Sequence, residues 1–256
     1  MLKVDLNCDM GESFGLYQMG NDEGMMQYIT SANIACGFHA GDPHVIKRTI
    51  ELCKSYDVGV GVHPGFPDLV GFGRRHMNVT PSEIQDYVIY QMGAIREFAS
   101  MYNLPVQHCK LHGALFMMAM EDKKIAKAFL EVISKINPKM IVFALNQSEV
   151  AIVGKEMGIP IAYEGYADRE HTDTGSIVLT RTGPSLTDVN KMAERVVRMV
   201  KERKVITYDG KEAEINVQTV CIHGDTEGAP LLAKAITEAL MRNEIEVTSI
   251  KNLINQ

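Results

Sequence analysis

Four of the eight histidines in this 256-residue chain stand at the carboxyl end of a strand-like segment. They are His39, His63, His112 and His223, and each has a glycine within two residues. Imidazole transfers protons near neutral pH and binds metal ions, and glycine lets the backbone approach a ligand closely. In a barrel of parallel strands these ends meet on one face, where barrel active sites are built. The recurrence therefore predicts one pocket rimmed by four histidines.

Polar residues alternate along the first strand-like segment, and a lysine precedes the third histidine. Asp5, Asn7 and Asp9 have a period of two, so they share one side of the strand. Buried acidic groups are unfavourable unless they are paired, metal-bound or catalytic. We expect Asp9 to be a general base or a ligand, while Asp5 has either a direct role or a structural one. Lys110, two residues before His112, has two interpretations: it binds an anion or carbonyl, or it forms a core salt bridge with Asp5 or Asp9.

Two long connections are predicted to be lids or binding loops, as long loops in compact domains usually are: Pro64–Asn78 and Glu164–Pro184. The first contains Arg74 and Arg75, whose paired guanidiniums are suited to bidentate binding of a carboxylate or phosphate. The second loop begins after the sixth predicted strand and contains further charged groups on the same face of the predicted barrel. The predicted substrate-binding and anion-binding set is Asn7, Arg74, Arg75, Glu164, Asp168, Arg169 and Asp225.

An aspartate among several histidines also resembles a site for zinc or another divalent ion. The H-x-H spacing is absent, and the one H-x-x-x-H pair, His108 and His112, lies in a strand-like segment and not on a helix, where that spacing identifies a metal site. A metal is therefore possible without being required, and its predicted ligands are Asp9, His39 and His63. Neither serine nor cysteine lies in a nucleophile elbow, which favours a water nucleophile activated by histidine or aspartate.

Short apolar runs alternate with helical periodicity nearly throughout the chain, which predicts about seven βα units in one domain spanning residues 1–256. The predicted strands are Val4–Cys8, Asn33–Cys36, Val58–Val62, Val106–Leu111, Met140–Ala144, Ile159–Tyr163 and Val217–Ile222. The main predicted helices are Pro43–Tyr56, Pro81–Tyr102, Lys123–Ile136, Ser148–Met157, Leu186–Arg203 and Thr226–Arg242. Tyr208–Lys211 predicts a hairpin outside the main sheet. This pattern fits a closed or nearly closed barrel or an open doubly wound sheet, and neither common nucleotide-binding glycine motif is present.

Composition excludes several classes of protein. The formal net charge is −6, the isoelectric point is near 5.8, and no run of Lys and Arg occurs, which argues against a nucleic-acid partner. No apolar run is long enough to span a membrane, and the amino terminus has no signal-peptide pattern. Five cysteines form no CxxC pair, which is typical of thiols in a reducing compartment. A cytoplasmic location is predicted.

The same segments resemble the LamB/YcsF family in order from residue 5 to about residue 240. The matching strings are Asp5–Asn7 with Asp9 and Gly11–Glu12, Thr30–Pro43, His63–Asp68, Gly71–Arg75, Lys110 with His112–Leu115, Asp168–Arg169, and Cys221 with His223–Asp225. The string Thr30–Pro43 is too long and specific to match by coincidence.

The resemblance implies an α/β fold, an incomplete seven-stranded β/α barrel similar to the polysaccharide-deacetylase superfamily. It also implies ATP-dependent opening of 5-oxo-L-proline to L-glutamate, performed together with two partner subunits. On this interpretation Arg74, Arg75 and Lys110 bind the phosphate and the substrate carboxylate. The acid–base groups are then Asp9 and the four histidines.

Two other functions remain open on the residues alone. One is a stand-alone metal-dependent deacetylase or amidase, which requires a bound metal and no ATP. The other is a non-catalytic subunit that binds a small anion and regulates its partners, since ATP can be used on another chain.

Overall fold

Strands and helices alternate along the residues that the computed structural model describes, which are 1–177, 188–225 and 228–254. The strands are β1 (Leu2–Met10), β2 (Ser31–Ala35), β3 (Gly59–His63), β4 (Val106–Cys109), β5 (Ile141–Ala144), β6 (Ile161–Tyr166), β7 (Lys204–Ile206), β8 (Glu212–Glu214), β9 (Thr219–Cys221) and β10 (Ile245–Val247). The helices are α1 (Asp22–Met26), α2 (Pro43–Tyr56), α3 (Pro81–Ser100), α4 (Gly113–Glu121), α5 (Lys123–Ile136), α6 (Glu149–Met157), α7 (Val189–Lys201), α8 (Ala229–Arg242) and α9 (Lys251–Ile254).

Parts of three predicted elements lie outside the described residues. They are the end of the loop predicted to reach Pro184, the first residues of the helix predicted from Leu186, and the first residues of the helix predicted from Thr226. The single domain predicted for residues 1–256 stays a prediction. No helix of the described residues is long and apolar enough to cross a membrane.

Seven parallel strands form a closed ring. Their order is β1-β2-β3-β4-β5-β6-β9, and β9 pairs with β1 to close it. The expected seven-stranded β/α barrel is confirmed. The short strand β10 pairs with the first residues of β1, and β7 and β8 form a separate antiparallel hairpin, as Tyr208–Lys211 predicts.

Helix boundaries follow from capping chemistry that is visible in the sequence. The Asp42 side chain accepts hydrogen bonds from the backbone of His44 and Val45 at the start of α2, with Pro43 in the first turn. Thr80 and Glu83 form a reciprocal capping box at the start of α3. These caps fix the residue at which each of the two helices begins.

The barrel has an apolar outside and a polar inside. Along β1 the alternate residues Val4, Leu6, Cys8 and Met10 are fully buried in the main hydrophobic cluster. The residues between them are polar, and they point into the lumen because side chains alternate along a strand. Most barrels of this kind fill the lumen with branched apolar residues. Here the lumen contains layers of hydrogen-bonded polar groups instead.

The lowest of these layers surrounds Asp5. Its carboxylate accepts hydrogen bonds from the hydroxyls of Thr30, Ser31 and Thr219 and from the backbone amide of Ile250. Asp5 therefore has the structural role, and its partners are hydroxyls and a backbone amide.

The middle layer contains Asn7, Asn33 and His108. Asn33 donates to the side-chain oxygen of Asn7 at 2.7 Å, and its own oxygen lies 2.8 Å from His108 Nε2. The His108 ring occupies the space in front of Gly61, where an added Cβ would lie 2.0 Å from Nε2. Gly61 therefore makes room for a polar ring inside the barrel. Asn7, predicted to bind substrate, is fully buried in this layer, where it accepts from Asn33 and donates to the hydroxyl of Thr219.

Asp5 is expected to make stability depend on pH. Burial, opposed by the hydrogen bonds from Ser31, Thr219 and Thr30, raises its pKa from 3.8 to about 6. The folded protein thus holds a proton in a range where the unfolded chain has lost it, so the free energy of unfolding falls as pH rises through that range. Relative to Asp5→Asn, wild type should lose roughly 3 kcal/mol between about pH 4 and pH 6, at ~1.36 kcal/mol per pKa unit.

Urea unfolding at several pH values measures this difference. Asp86→Asn, on the exposed face of α3, is the matched control and should leave the wild-type profile unchanged. Parallel pH profiles for wild type and Asp5→Asn would contradict the assignment.

Candidate active site

A pocket of about 370 Å³ opens at the carboxyl ends of the barrel strands. Among the described residues its polar lining is Asp9, His63, Arg74, His76, Lys110, His112, Glu121, Tyr166, Arg169 and His223. Its apolar wall comes mainly from α4, with Ala114, Phe116, Met117 and Met118. One side of the pocket is therefore apolar, and polar groups converge on the other.

A buried lysine lies at the floor of this pocket. Lys110 is 3% exposed, and its Nζ donates to Asp9 Oδ1 at 3.0 Å and to Cys221 Sγ at 3.1 Å. It also forms an ion pair with Glu164 Oε1 at 3.0 Å. Burial alone would lower the lysine pKa, but Asp9, Cys221 and Glu164 together raise it well above its usual value. The ammonium is a permanent positive charge whose hydrogens are already engaged.

Asp9 stays ionised for the same reason. Burial would raise its pKa, but His63 and Lys110 lower it well below the usual range. Asn33 also donates to Asp9 Oδ1 at 2.8 Å. The free oxygen, Oδ2, lies 3.4 Å from His63 Nε2 and 3.9 Å from His223 Nε2. Asp9 thus connects two separate groups of histidines.

The first group centres on His63 and His112. His63 Nδ1 lies 2.8 Å from the carbonyl oxygen of Lys110, and His112 Nε2 lies 2.8 Å from that of Phe72. A carbonyl only accepts, so each of these nitrogens carries a hydrogen. The other two ring nitrogens, His63 Nε2 and His112 Nδ1, face each other at 3.0 Å. In the neutral rings both of these nitrogens present a lone pair.

His39 and Glu12 complete the first group. The rings of His39 and His112 are stacked with centroids 3.7 Å apart and planes 3° from parallel. Glu12 Oε1 lies 3.5 Å from His39 Nε2 and 3.7 Å from His112 Nδ1. Burial and the neighbouring rings His112 and His63 lower the pKa of His39 well below its usual value. Burial, with Asp9 and Asp225 nearby, raises the pKa of Glu12.

The loop Pro64–Asn78 covers this group. Gly73 donates its amide to Asp68 and its carbonyl accepts from Ala114, so the loop is tied to the start of α4. Gly113 has a φ of +56°, and a Cβ there would lie 2.5 Å from the carbonyl oxygen of Gly73. Both the conformation and the close approach require glycine at this position. This contact sets the Phe72 carbonyl over His112.

The second group is a histidine–carboxylate pair at the opposite side of Asp9. His223 Nδ1 lies 2.9 Å from Asp168 Oδ1, which assigns the hydrogen to Nδ1 and leaves a lone pair on Nε2. The ring stacks on Tyr166, with centroids 5.7 Å apart. Tyr166 in turn donates its hydroxyl to Glu164 Oε2 at 2.6 Å. The arrangement holds one imidazole in the tautomer that a general base needs.

The three arginines near the mouth of the pocket differ in position and in their acidic partners. Arg74 lines the pocket, stacks over Phe72 and lies 3.6 Å from Asp225. Arg169 also lines it and donates to Asp168 at 3.1 Å. Arg75 does not line the pocket: it is 61% exposed on its side chain and is bound to Asp68. The pair of adjacent guanidiniums expected from Arg74 and Arg75 is therefore replaced by Arg74 and Arg169 from two different loops.

The predicted residues thus separate by position. Those that line the pocket are Asp9, His63, Arg74, Lys110, His112, Arg169 and His223. Those that contact lining residues without lining the pocket themselves are His39, Glu164, Asp168 and Asp225. One placement needs correction: Glu164 lies within β6 and points into the lumen beneath the pocket, whereas the sequence interpretation put it after the sixth strand.

Sequence reasoning missed Tyr166 and Glu12 as members of the site, as it did His76 and Glu121 in the pocket lining. Tyr166 is two residues from Glu164 on β6, so a longer predicted strand would have placed both on one side by their period. Glu12 follows Asp9 beyond the end of β1 and its position depends on the turn at Gly11, which has a φ of +68°. Tyr166 had a usable signal in its strand period, whereas Glu12 had only its charge and its place in the matching string Gly11–Glu12.

The chain matches known proteins over nearly its whole length. The sequence model of the LamB/YcsF family matches residues 4–255. A 5-oxoprolinase subunit of Clostridium beijerinckii is 46% identical over 254 residues, covering 99% of this chain and 100% of that protein. The same-named protein of Pyrococcus abyssi is 43% identical over 254 residues, with 99% and 100% covered.

Solved structures give the same result for the fold. The lactam utilization protein of Thermus thermophilus superposes with a TM-score of 0.91 at 38% identity, covering 97% of this chain and 100% of that one. A family 4 carbohydrate esterase from Streptomyces lividans superposes with a TM-score of 0.52 at 8% identity, covering 96% of this chain and 91% of that one, which shows a shared fold alone. The expected likeness to the deacetylase barrels is confirmed.

Lys110→Met should destabilise the protein strongly. It leaves the buried carboxylates of Asp9 and Glu164 without their cation, and breaking a buried pair in this way typically costs roughly 3–5 kcal/mol. The matched control is Lys123→Met, which removes an exposed pair with Glu156 at 3.4 Å and should cost less than about 1 kcal/mol. Chemical unfolding of both variants measures the two losses. Equal losses would show that the buried lysine is not a major source of stability.

Proposed function

We propose that this chain, which belongs to the LamB/YcsF family, is one subunit of an enzyme that opens 5-oxo-L-proline to L-glutamate with hydrolysis of ATP. The observation that carries the proposal is the pair Asp168–His223 at a pocket of small-molecule size whose lining also includes Arg74 and Arg169. The relatives named as 5-oxoprolinase subunits support the substrate, since they match the whole chain at 41–46% identity. We place the enzyme in the cytoplasm, in keeping with five free cysteines.

The substrate has two features that the pocket can recognise. Its carboxylate is an anion, and Arg74 and Arg169 are the guanidiniums that line the pocket among the described residues. Guanidinium binds carboxylate with charge-assisted hydrogen bonds. Its ring carbons are apolar and fit against Ala114, Phe116 and Met117 of α4. The carboxylate then lies at the mouth and the amide towards the floor.

His223 is the proposed general base. Its Nε2 carries the lone pair and lies on the pocket side, while Asp168 keeps the hydrogen on Nδ1 and stabilises the imidazolium that forms. A water that loses its proton to Nε2 attacks the amide carbon, and the carbon–nitrogen bond breaks. The ring nitrogen then takes the proton back from His223 and leaves as the amine of glutamate.

Lys110 and Asp9 have supporting roles in this scheme. The hydrogens of Lys110 are engaged by Asp9 and Cys221, and its charge lies beneath the pocket floor. A fixed positive charge stabilises the negative charge that the phosphorylated oxygen of the lactam carries. Asp9 Oδ2 lies 3.9 Å from His223 Nε2, so its negative charge lies beside the nitrogen that accepts the proton in the proposed step.

The coupling to ATP requires partner subunits. A five-membered lactam is a stable amide, and phosphorylating its oxygen makes the carbon open to water. The chain contains neither common glycine-rich phosphate-binding motif. We therefore place ATP binding on partner chains, of which we propose two. In the pocket of this chain, the first water attacks the carbon of the phosphorylated lactam and the ring carbon–nitrogen bond breaks, which leaves γ-glutamyl phosphate. A second water then displaces inorganic phosphate and gives glutamate.

One observation favours a second candidate, a metal-dependent amidase or deacetylase that acts alone. Glu12, His39, His63 and His112 could hold an ion, because one ligand atom from each lies within 4.8 Å of the others. When bound at such a site, a divalent ion supplies Lewis acidity and lowers the pKa of a coordinated water. Amide hydrolysis by the isolated chain without ATP would favour this candidate.

Glutamate release tests the proposal. The chain is combined with candidate partner subunits, and glutamate is measured from 5-oxo-L-proline with and without ATP. We expect release that requires ATP and the complete complex. In that complex His223→Gln should lower kcat by roughly 10²–10⁴-fold, the usual contribution of a general base, with substrate affinity little changed.

The matched control is His44→Gln, an exposed histidine on α2 that should retain wild-type turnover. Undiminished turnover by His223→Gln would remove His223 from the chemistry. Release that needs neither ATP nor partners would replace the proposed reaction with the stand-alone amidase.

A further inference from the structure

The facing nitrogens of His63 and His112 require something positive between them. Backbone carbonyls hold the hydrogens on the far sides of both rings, so two lone pairs meet at 3.0 Å. Two lone pairs at that distance repel unless a proton or a metal ion lies between them. Metal-ligating histidines are commonly oriented in this way, with the second nitrogen donating to a carbonyl.

Two more buried groups beside them have no hydrogen-bond partner. Glu12 Oε1 and both ring nitrogens of His39 are unpartnered, and the His39 side chain is fully buried. Unsatisfied buried polar atoms are unfavourable, and the few in a native structure call for an explanation such as an ion. A proton shared by His63 and His112 would explain their separation, but it would leave Glu12 and His39 unpartnered.

We propose that Glu12, His39, His63 and His112 bind one divalent transition-metal ion, of which zinc is the best match. Three imidazole nitrogens and a carboxylate oxygen are a ligand set that zinc accepts. This set differs from the one expected from sequence, which was Asp9, His39 and His63. The inference concerns ion binding alone and does not depend on the proposed lactam reaction.

The distances fit an ion of this size once the ring of His39, which lies parallel to that of His112 with centroids 3.7 Å apart, turns towards the centre of the group. Nitrogen and oxygen ligands lie ~2.0–2.2 Å from zinc, so two neighbouring ligands are roughly 3.0–3.4 Å apart and opposite ones are at most about 4.4 Å apart. The His63–His112 nitrogens are 3.0 Å apart, and all four ligand atoms lie within 4.8 Å of one another. His63 and His112 line the pocket, which gives the ion a route in and out.

A second group of similar composition does not fit. Asp9, Cys221 and His223 also place ligand atoms within 4.8 Å of one another. The ammonium of Lys110 already lies 3.0 Å from Asp9 Oδ1 and 3.1 Å from Cys221 Sγ. A divalent ion there would replace that ammonium or repel it. The buried lysine therefore directs the ion to the Glu12 side of Asp9.

Metal binding by the full-length chain tests the inference directly. The protein is stripped with a chelator and dialysed against zinc, and bound metal is counted per chain. Titration with Co²⁺ follows the affinity through visible absorption, and thermal unfolding is recorded with and without metal. We expect one ion per chain and a raised unfolding temperature, because a ligand that binds only the folded state stabilises it.

Glu12→Gln and His39→Gln should each weaken binding by at least about 100-fold, since losing even an outer partner of a ligand commonly costs 10–100-fold. His44→Gln, on the exposed face of α2, is the control and should bind as wild type does. Wild-type protein that retains no stoichiometric zinc would overturn the proposal without reference to any variant. Undiminished binding by Glu12→Gln, combined with loss in Asp9→Asn, would assign the ion to the other group.

Discussion

The burial of one ammonium group between two carboxylates governs the inside of this barrel. Lys110 directly follows β4, and its ammonium pairs with Asp9 of β1 and Glu164 of β6. Residues from three different strand regions therefore meet at this one charge. A buried charge is tolerated only when it is paired and hydrogen-bonded. The layers below it, built on Asn33 and on Asp5, engage most of the remaining polar groups of the lumen, although His108 Nδ1 has no hydrogen-bond partner among the described residues. The lumen is therefore a continuous hydrogen-bonded structure that carries the pocket on its upper surface.

This arrangement divides the strand-end histidines into two chemical environments. Asp9 lies between them, with Oδ2 at 3.4 Å from His63 and 3.9 Å from His223. On one side His223 is held by Asp168 in the tautomer of a base. On the other, Glu12 and three histidines form a crowded group with unpartnered atoms. Residues of identical type at equivalent strand ends therefore differ in role because their neighbours differ.

Local sequence patterns were sufficient to predict most of the fold. Helices α2 and α5 begin and end where caps and periodicity predict, and the histidines cluster because parallel strands end on one face. Helix α4 was missed because Gly113–Glu121 is apolar nearly throughout and so has no helical period. Contacts that depend on the fold of a loop could not be predicted from the sequence either. The pairing of Arg75 with Asp68 and the stacking of His39 on His112 depend on how the loop Pro64–Asn78 folds back.

A structure of the chain with bound 5-oxo-L-proline tests most directly whether the surface of this polar lumen is a lactam site. We expect the carboxylate between Arg74 and Arg169, the ring against α4, and the amide carbon on the Nε2 side of His223. A ligand bound elsewhere on the chain, for instance in the groove beside Tyr17 and Arg48, with the barrel pocket empty, would contradict that assignment.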